Sequence, residues 1–239
     1  MGASIERCQL LGVKVLLSIG GGIGNYSLNS PADALNVSLY LWESFLGGAA
    51  RFRPLGNVSL DGVNFDIQSS AASSPYWLDL AARLSSYSAQ GTKVYLAASP
   101  QCPFPDSALG SALNSSYFDF IWVQFYGNPS CQYSPGKVTN LVSSWGKWTS
   151  LRNNATIFLG LPASPFAAPS GGYIPPDVLT AQIIPYIKPV GRYGGLALWS
   201  RYYDNGYSTA VITQAPNTTD TTVSLTSKFH LLCILLYIL

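Results

Sequence analysis

The sequence predicts a single α/β domain built on a parallel sheet. Six short apolar segments alternate with segments of helical periodicity along the 239 residues, and such alternation places consecutive strands parallel, joined by right-handed crossovers. The length is close to the roughly 250 residues typical of a parallel α/β barrel. Charged residues make up only 10% of the chain, a composition that favours a secreted, loop-rich domain over a cytosolic one.

The predicted elements follow in a regular order. The strands are six apolar runs: Val13–Gly20, Val63–Ile67, Lys93–Ser99, Phe120–Phe125, Thr156–Leu161 and Leu196–Trp199. The first helix, over Ala34–Leu46, carries apolar residues at helical spacing on one face. The second covers Pro75–Gln90 and ends at Gly91, a residue type common just after helices. Further helices are predicted to begin near Ser107, Pro135 and Pro176.

The second strand carries the most informative pattern in the chain. In the run DGVNFDIQ (residues 61–68), successive side chains point to opposite faces. Asn64, Asp66 and Gln68 therefore share one face, and three apolar side chains share the other. A strand buried on both faces tolerates such a polar row only where the row lines a site or is hydrogen-bonded internally. Taken alone, the strand fits either interpretation.

Missing residue types exclude several kinds of chemistry. The only histidine is His230, near the C-terminus, so histidine-dependent catalysis and a histidine-based metal site are not expected in the folded region. We expect no metal and no cofactor. Gly20–Gly24 fits neither the GxGxxG nor the GxxxxGKS/T phosphate-loop pattern. A net charge of +2 without a basic cluster argues against nucleic acid as a partner. The only glutamates, Glu6 and Glu43, are not expected to reach the polar row.

Motifs along the chain resemble those of glycoside hydrolase family 18, and specifically the plant class III chitinases of the hevamine-like type. The run LDGVNFDIQ (residues 60–68) is similar to the family's strand-four pattern Asp-Gly-x-Asp-x-Asp-x-Glu. The motifs similar to strands three, five, six, seven and eight are KVLLSIGGG (14–22), QCPFPD (101–106), WVQFY (122–126), FLGLP (158–162) and GGLALWS (194–200). The resemblance runs from about Cys8 to Ile212 and implies a (β/α)8 TIM-type barrel.

The N-terminal part of that barrel is not expected in this chain. The sequence begins just before the family's third strand, so we expect residues 1–214 to form a partial barrel that lacks its first two βα units and keeps about six strands. Strands three and eight would then have unpaired apolar edges, which favours aggregation, while their direct pairing would pinch the interior. The first residues show neither the basic start nor the apolar core of a signal peptide. We expect an incomplete gene model of a secreted protein in preference to a truncated gene product.

Residues 215–239 are predicted to be a separate, disordered tail. Asn217–Ser227 is polar and rich in threonine. Phe229–Leu239 is almost wholly apolar, but its 11 residues are too few for a helix that spans a bilayer, which needs about 20. A polar spacer before an apolar terminus formally fits a lipid-anchor signal, although a chance or misannotated terminus is the interpretation that we favour. We expect no stable membrane span.

The cysteines suggest an oxidising compartment. Cys102 and Cys131 follow two adjacent predicted strands, and the resemblance implies that they form a disulfide. Cys8 matches a family cysteine whose partner lies in a segment absent here, and Cys233 is in the tail. Six glycosylation sequons are compatible with secretion, at Asn25, Asn36, Asn57, Asn114, Asn154 and Asn217. We expect an extracellular location.

The resemblance implies that the catalytic acid has been replaced. In the family the substrate's own N-acetyl oxygen is the nucleophile and the protein supplies one acid, at the position of Gln68. An amide has no proton to give at neutral pH, so general-acid assistance of about 10²–10⁴-fold is lost. Asp66 keeps the position that orients the acetamido group, while Asn64 replaces a second aspartate. Without that like-charged neighbour Asp66 should ionise, and an ionised carboxylate is a poor acid.

Further positions of a sugar groove are implied by the resemblance. Tyr126 would donate its hydroxyl to the acetamido carbonyl, with Gln124 near it and counted with the groove. Trp199 would form the floor, because a flat indole buries the C–H face of a pyranose. A core role for Tyr126 and Trp199 is the alternative, but both follow strand C-termini, where barrel sites form. The remaining predicted groove positions are Gly22, Ile23 and Ala167.

Three functions fit these residues. The leading hypothesis is a chitinase-like protein that binds N-acetylglucosamine oligomers (chitin), with lost or strongly impaired hydrolysis. One alternative is a weakly active endochitinase that hydrolyses β-1,4-linked N-acetylglucosamine. The other is a proteinaceous inhibitor of foreign glycosidases, since cereal xylanase inhibitors share this scaffold. The retained groove aromatics favour sugar binding.

Overall fold

Seven parallel strands form one sheet in the computed structural model, which describes residues 1–23, 26–68, 74–214 and 233–237. The order across the sheet is β6-β5-β4-β3-β2-β1-β7, so six strands lie side by side in chain order. They are β1 Val15–Gly21, β2 Gly62–Ile67, β3 Tyr95–Ala98, β4 Phe120–Gln124, β5 Thr156–Pro162, β6 Tyr193–Trp199 and β7 Cys233–Tyr237. The predicted parallel α/β fold is confirmed, and β1 to β6 are the six predicted strands.

One helix precedes the sheet, and the others follow its strands along the chain. The helices are α1 Gly2–Leu10, α2 Pro31–Phe45, α3 Tyr76–Ser86, α4 Gly110–Leu113, α5 Thr139–Thr149, α6 Pro176–Val178, α7 Ile184–Ile187 and α8 Tyr207–Gln214, with a π-helical segment, Leu179–Ile183, between α6 and α7. Three 3-10 turns, at Tyr87–Gln90, Pro165–Ala167 and Arg201–Tyr203, complete the helical elements of the described residues. The sequence did not predict α1 and α8.

Two of the predicted helices begin later than expected. The helix expected near Ser107 begins at Gly110, because Asp106 Oδ1 accepts hydrogen bonds from the backbone of Ala108 and Leu109 and forms a tight turn first. The helix expected near Pro135 begins at Thr139. By contrast, α2 starts close to its predicted position, where Ser30 Oγ accepts the Asp33 N–H at 3.0 Å and Pro31 follows as the first helical residue.

The two faces of the sheet bury different sets of side chains. On the outer face, Val63, Phe65 and Ile67 of β2 join a large core that also contains helix residues such as Leu80. On the inner face, a separate cluster consists of strand residues alone: Leu16, Ala97, Trp122 and Phe158. Neighbouring residues of one strand therefore enter different cores, as the period of two requires.

The C-terminal segment differs from the expectation of a disordered tail. Residues 233–237 form β7, which pairs in parallel with β1, with Cys233 opposite Val15 and Ile234 opposite Leu16. The backbone groups along the free edge of β1 thereby gain hydrogen-bond partners. In the described sheet β1 does not pair with β6, so the barrel is not closed by those two strands. Residues 215–232 and 238–239, including the predicted disorder over Asn217–Ser227, lie outside the described residues.

No helix in the described part of the chain is both long and apolar enough to cross a bilayer.

Removing the last seven residues, 233–239, should expose the edge of β1. Because unpaired edges of apolar strands associate with one another, we expect the shortened chain to self-associate and to unfold at a lower temperature than the full chain. Size-exclusion chromatography and thermal unfolding followed by circular dichroism measure both effects. A chain that lacks only residues 238–239 is the matched control. Monomeric shortened protein with an unchanged midpoint would contradict a stabilising role for β7.

Candidate functional site

The polar row of β2 lies inside the sheet at its carboxyl end. β2 is paired on both sides, with β1 and with β3, and Asn64 and Asp66 are each only 2% exposed. Gln68, just beyond the end of the strand, is half-buried. The row thus runs from a closed interior toward the end of the sheet where sites form in parallel α/β barrels.

Asn64 is held by two serines from the neighbouring strands. Its Nδ2 donates to Ser18 Oγ at 2.8 Å, and its Oδ1 accepts from Ser99 Oγ at 3.0 Å. An amide donates and accepts at the same time, so Asn64 is satisfied without a charge. Sequence reasoning missed both serines, although Ser18 interrupts the apolar run of β1 on the same face as Gly20 and was a usable signal.

Asp66 accepts hydrogen bonds from two glutamines. Gln68 Nε2 lies 2.9 Å and Gln124 Nε2 lies 3.0 Å from the same oxygen, Asp66 Oδ1. Gln124 Nε2 also donates to the Ser99 carbonyl at 2.8 Å, which fixes it in place. A carboxylate oxygen only accepts, so the amide atoms that face it are nitrogens. Both glutamine side chains are therefore oriented by the buried carboxylate.

Tyr126 lies within reach of the same negative charge. Burial and the charge of Asp66 together raise the pKa of the Tyr126 hydroxyl above its ordinary value. The phenol therefore stays protonated at neutral pH and remains a hydrogen-bond donor. Gly172, with a φ of +100°, allows this packing: a Cβ there would lie 2.6 Å from Tyr126 Cα.

Tyr26, which the sequence did not indicate as a site residue, holds Gln68 in position. Tyr26 OH accepts the backbone N–H of Gln68 at 3.1 Å and donates to the Gly21 carbonyl at 2.6 Å. On the other side, a Cβ built on Gly22 would lie 3.2 Å from Gln68 Oε1. The end of β1 and the end of β2 are thus joined through Tyr26, with Gly22 beside the oxygen of the Gln68 amide.

The other predicted groove residues lie at the same end of the sheet. Ile23, next to Gly22, is 81% exposed. Trp199 is half-buried at the end of β6, where its carbonyl accepts from Ala163 N at 2.7 Å. Ala167 is half-buried in the turn after β5. The structure therefore brings Asn64, Asp66, Gln68, Gln124 and Gly22 together and places Ile23, Ala167 and Trp199 on neighbouring carboxyl-end segments.

Neither glutamate of the chain belongs to this site. Glu43 lies on α2, and its Oε2 accepts from Ala49 N at 2.8 Å. Glu6 is an exposed residue of α1. In residues 1–23, 26–68 and 74–214, moreover, no three His, Cys, Asp or Glu side chains are grouped so as to hold a metal ion.

A disulfide fixes two loops at the edge of the site. Cys102 and Cys131 are bridged, with their Cα atoms 5.8 Å apart, which confirms the predicted pair. The Cys102 carbonyl accepts from Trp148 Nε1 at 3.0 Å and from Ser144 Oγ at 2.7 Å. The loop after β3 is thereby attached both to the loop after β4 and to helix α5.

Known proteins are similar to this chain over most of its length. The model of the glycosyl hydrolases family 18 matches residues 3–168. The acidic endochitinase of Arabidopsis thaliana is 53% identical over 213 residues, which cover 88% of this chain and 70% of that protein.

Two solved structures are similar to the fold as a whole. The xylanase and alpha-amylase inhibitor protein XAIP-II of Scadoxus multiflorus has a TM-score of 0.83 and 40% identity, covering 89% of this chain and 78% of its own. The tamarind chitinase-like lectin has a TM-score of 0.74 and 31% identity, covering 87% of this chain and 76% of its own. These likenesses confirm the TIM-barrel architecture of the sheet and helices.

Two substitutions at Asp66 should separate loss of charge from loss of a hydrogen-bond acceptor. Asp66→Asn keeps an oxygen for the two glutamine donors, whereas Asp66→Leu removes it and leaves the Gln68 N–H that faced it without an acceptor. We expect Asp66→Leu to lower the free energy of unfolding by about 1–3 kcal/mol more than Asp66→Asn does. Urea denaturation at neutral pH measures the difference. Equal destabilisation by both substitutions would mean that the glutamines do not depend on Asp66.

Proposed function

Since the chain belongs to glycosyl hydrolase family 18, we propose that it is a chitinase-like protein that binds oligomers of N-acetylglucosamine and hydrolyses them slowly or not at all. One observation carries the proposal. Gln68, at the position where the resemblance implies the acid, donates through Nε2 to the buried Asp66. The proposal is that the family's site is retained without its proton donor.

Loss of the acid is not compensated by a neighbour. A glycosidase must deliver a proton to the glycosidic oxygen as the bond breaks. Asp66 Oδ1 accepts two N–H groups, which favours the ionised carboxylate, and an ionised carboxylate is a poor acid. Tyr126 has a raised pKa and holds its proton tightly. General-acid assistance, commonly worth about 10²–10⁴-fold, therefore has no source among these side chains.

Binding of a neutral sugar does not require a general acid. Glutamine has nearly the shape of glutamate, so the replacement at Gln68 leaves the groove close to its original form. Tyr126 remains a hydroxyl donor, and Trp199 offers an aromatic face at the end of β6. The similarity to a chitinase-like lectin supports the same role.

Inhibition of a foreign glycosidase is the second candidate. Two large aromatic side chains stand out from the turns after β5 and β6: Phe166 is 82% exposed and Tyr202 is 88% exposed. Exposed aromatics of this kind often anchor protein interfaces, and a xylanase and alpha-amylase inhibitor protein is among the similar structures. The third candidate, a weakly active endochitinase, is favoured by the 53% identity to an acidic endochitinase.

The proposal includes an oxidising location. The Cys102–Cys131 disulfide supports it, because structural disulfides persist outside the reducing cytosol.

The purified protein should release no product from soluble chitin above the buffer rate, since Gln68 has no acidic proton. The double change Gln68→Glu and Asn64→Asp restores both carboxylates of the motif. We expect it to raise activity most when the first two βα units of a plant class III chitinase are fused ahead of residue 8. Release of labelled oligomers measures the rate, and the fusion without the two changes is the control. A folded fusion that carries both carboxylates and stays inert would show that β2 is not the catalytic strand.

Binding should depend on Trp199 more than on Tyr126. Trp199→Ala removes the stacking surface and should weaken binding of a chitin tetramer by about 1–3 kcal/mol, as loss of a base-stacking or interface aromatic often does. Tyr126→Phe removes one hydrogen bond, worth about 0.5–1.5 kcal/mol. Calorimetry measures both, with Tyr202→Ala as the control that should leave sugar binding unchanged. If well-folded protein does not bind the tetramer, and Tyr202→Ala instead weakens inhibition of a xylanase, the inhibitor function is the better account.

A further inference from the structure

The Gln68 amide oxygen lies on the side of the residue that faces Gly22. Gln68 Nε2 donates to Asp66 Oδ1 at 2.9 Å. Turning the amide over would place oxygen against oxygen, so Oε1 is fixed on the far side. That side faces Gly22, whose added Cβ would lie 3.2 Å from Oε1. Gly22 is exposed and Gln68 is half-buried, so this side of the amide lies near the protein surface.

Gly22 keeps the space in front of this oxygen clear. Any side chain at that position would begin at 3.2 Å from Oε1, which is closer than ordinary van der Waals contact. With glycine there, a hydroxyl group of a ligand can approach to hydrogen-bond distance. No hydrogen bond from the described residues uses Oε1, since the bonds of Gln68 run through its backbone N–H and its Nε2.

Gln68 Oε1 is a hydrogen-bond acceptor, whereas a catalytic acid at the same position is a hydrogen-bond donor. A general acid holds a hydrogen against the glycosidic oxygen, which has lone pairs and no hydrogen of its own. An amide oxygen in the same place meets the glycosidic oxygen acceptor to acceptor, and neither group satisfies the other. A free anomeric hydroxyl does carry a hydrogen, and it can donate that hydrogen to Oε1.

We propose that Gln68 makes the site selective for the reducing end of an N-acetylglucosamine oligomer. The anomeric hydroxyl of the terminal sugar donates to Gln68 Oε1, whereas a sugar linked onward through a glycosidic oxygen binds there less tightly. This inference rests on the proposed sugar-binding function and narrows its ligand class to chain ends. Because Asp66 holds the amide in one orientation, the selectivity is built into the buried hydrogen-bond network.

Three trisaccharides test the proposal by calorimetry at neutral pH. They are chitotriose with its free reducing end, its 1,5-anhydro derivative, which lacks only the anomeric hydroxyl, and its β-methyl glycoside. We expect the free sugar to bind about two- to ten-fold more tightly than the anhydro derivative, the range that one net hydrogen bond supplies. The methyl glycoside should bind no better than the anhydro derivative.

Two variants show whether Gln68 is the cause. Gln68→Leu keeps a similar volume without an acceptor, so its affinities for the free sugar and the anhydro derivative should become equal. Trp199→Phe should weaken binding of all three ligands while preserving their ratio. Circular dichroism checks the fold of each variant, and if Gln68→Leu does not fold, the ligand series on the unaltered protein still decides.

The outcomes distinguish failure of the reducing-end selectivity from failure of the sugar-binding function. Equal binding of all three ligands, or tighter binding of the methyl glycoside, would overturn the selectivity and leave sugar binding intact. Failure of all three to bind folded protein would remove the sugar-binding function itself. A ratio that persists unchanged in Gln68→Leu would assign the selectivity to another residue.

Discussion

A carboxylate buried in a strand that is itself buried on both faces is the constraint around which the site is arranged. Asp66 lies on β2, between β1 and β3, and is almost inaccessible to solvent. An isolated charge in such a place is strongly unfavourable, so donors must reach it. Gln68 supplies one from the end of the same strand, and Gln124 supplies another from β4. Because Asp66 requires donors, both glutamines turn their amide nitrogens toward it.

The two amides of the polar row determine how its hydrogen bonds are satisfied. Asn64 donates to one serine and accepts from another, which an ionised aspartate cannot do. Neither Asn64 nor Gln68 can take up or release a proton near neutral pH, so Asp66 is the only titratable member of the row. The hydrogen bonds of the row are therefore made with a single ionisable side chain.

Backbone pairing with β7 covers the edge of the sheet at β1. β1 would present an unpaired apolar edge, but β7 lies against it in parallel, with Cys233 opposite Val15. β1 carries Ser18 and leads to Gly22, both of which contact residues of the polar row. Order at the edge of β1 is thus linked to order in the site, because the strand that β7 covers is also the strand that supports Asn64.

The sequence by itself determined the order of the six barrel strands, the face of β2 on which Asn64, Asp66 and Gln68 lie, and the amide, which has no acidic proton, at position 68. These are local properties, set by a period of two residues and by side-chain chemistry. Helix starts were predicted less well, because caps such as Asp106 depend on short-range geometry. Only the tertiary structure decided which donors reach Asp66, which way the Gln68 amide faces and what covers β1. The bond of Gln124 to Asp66, 58 residues apart, and the pairing of β7 with β1 join distant parts of the chain and exist only when the sheet has brought the strands together.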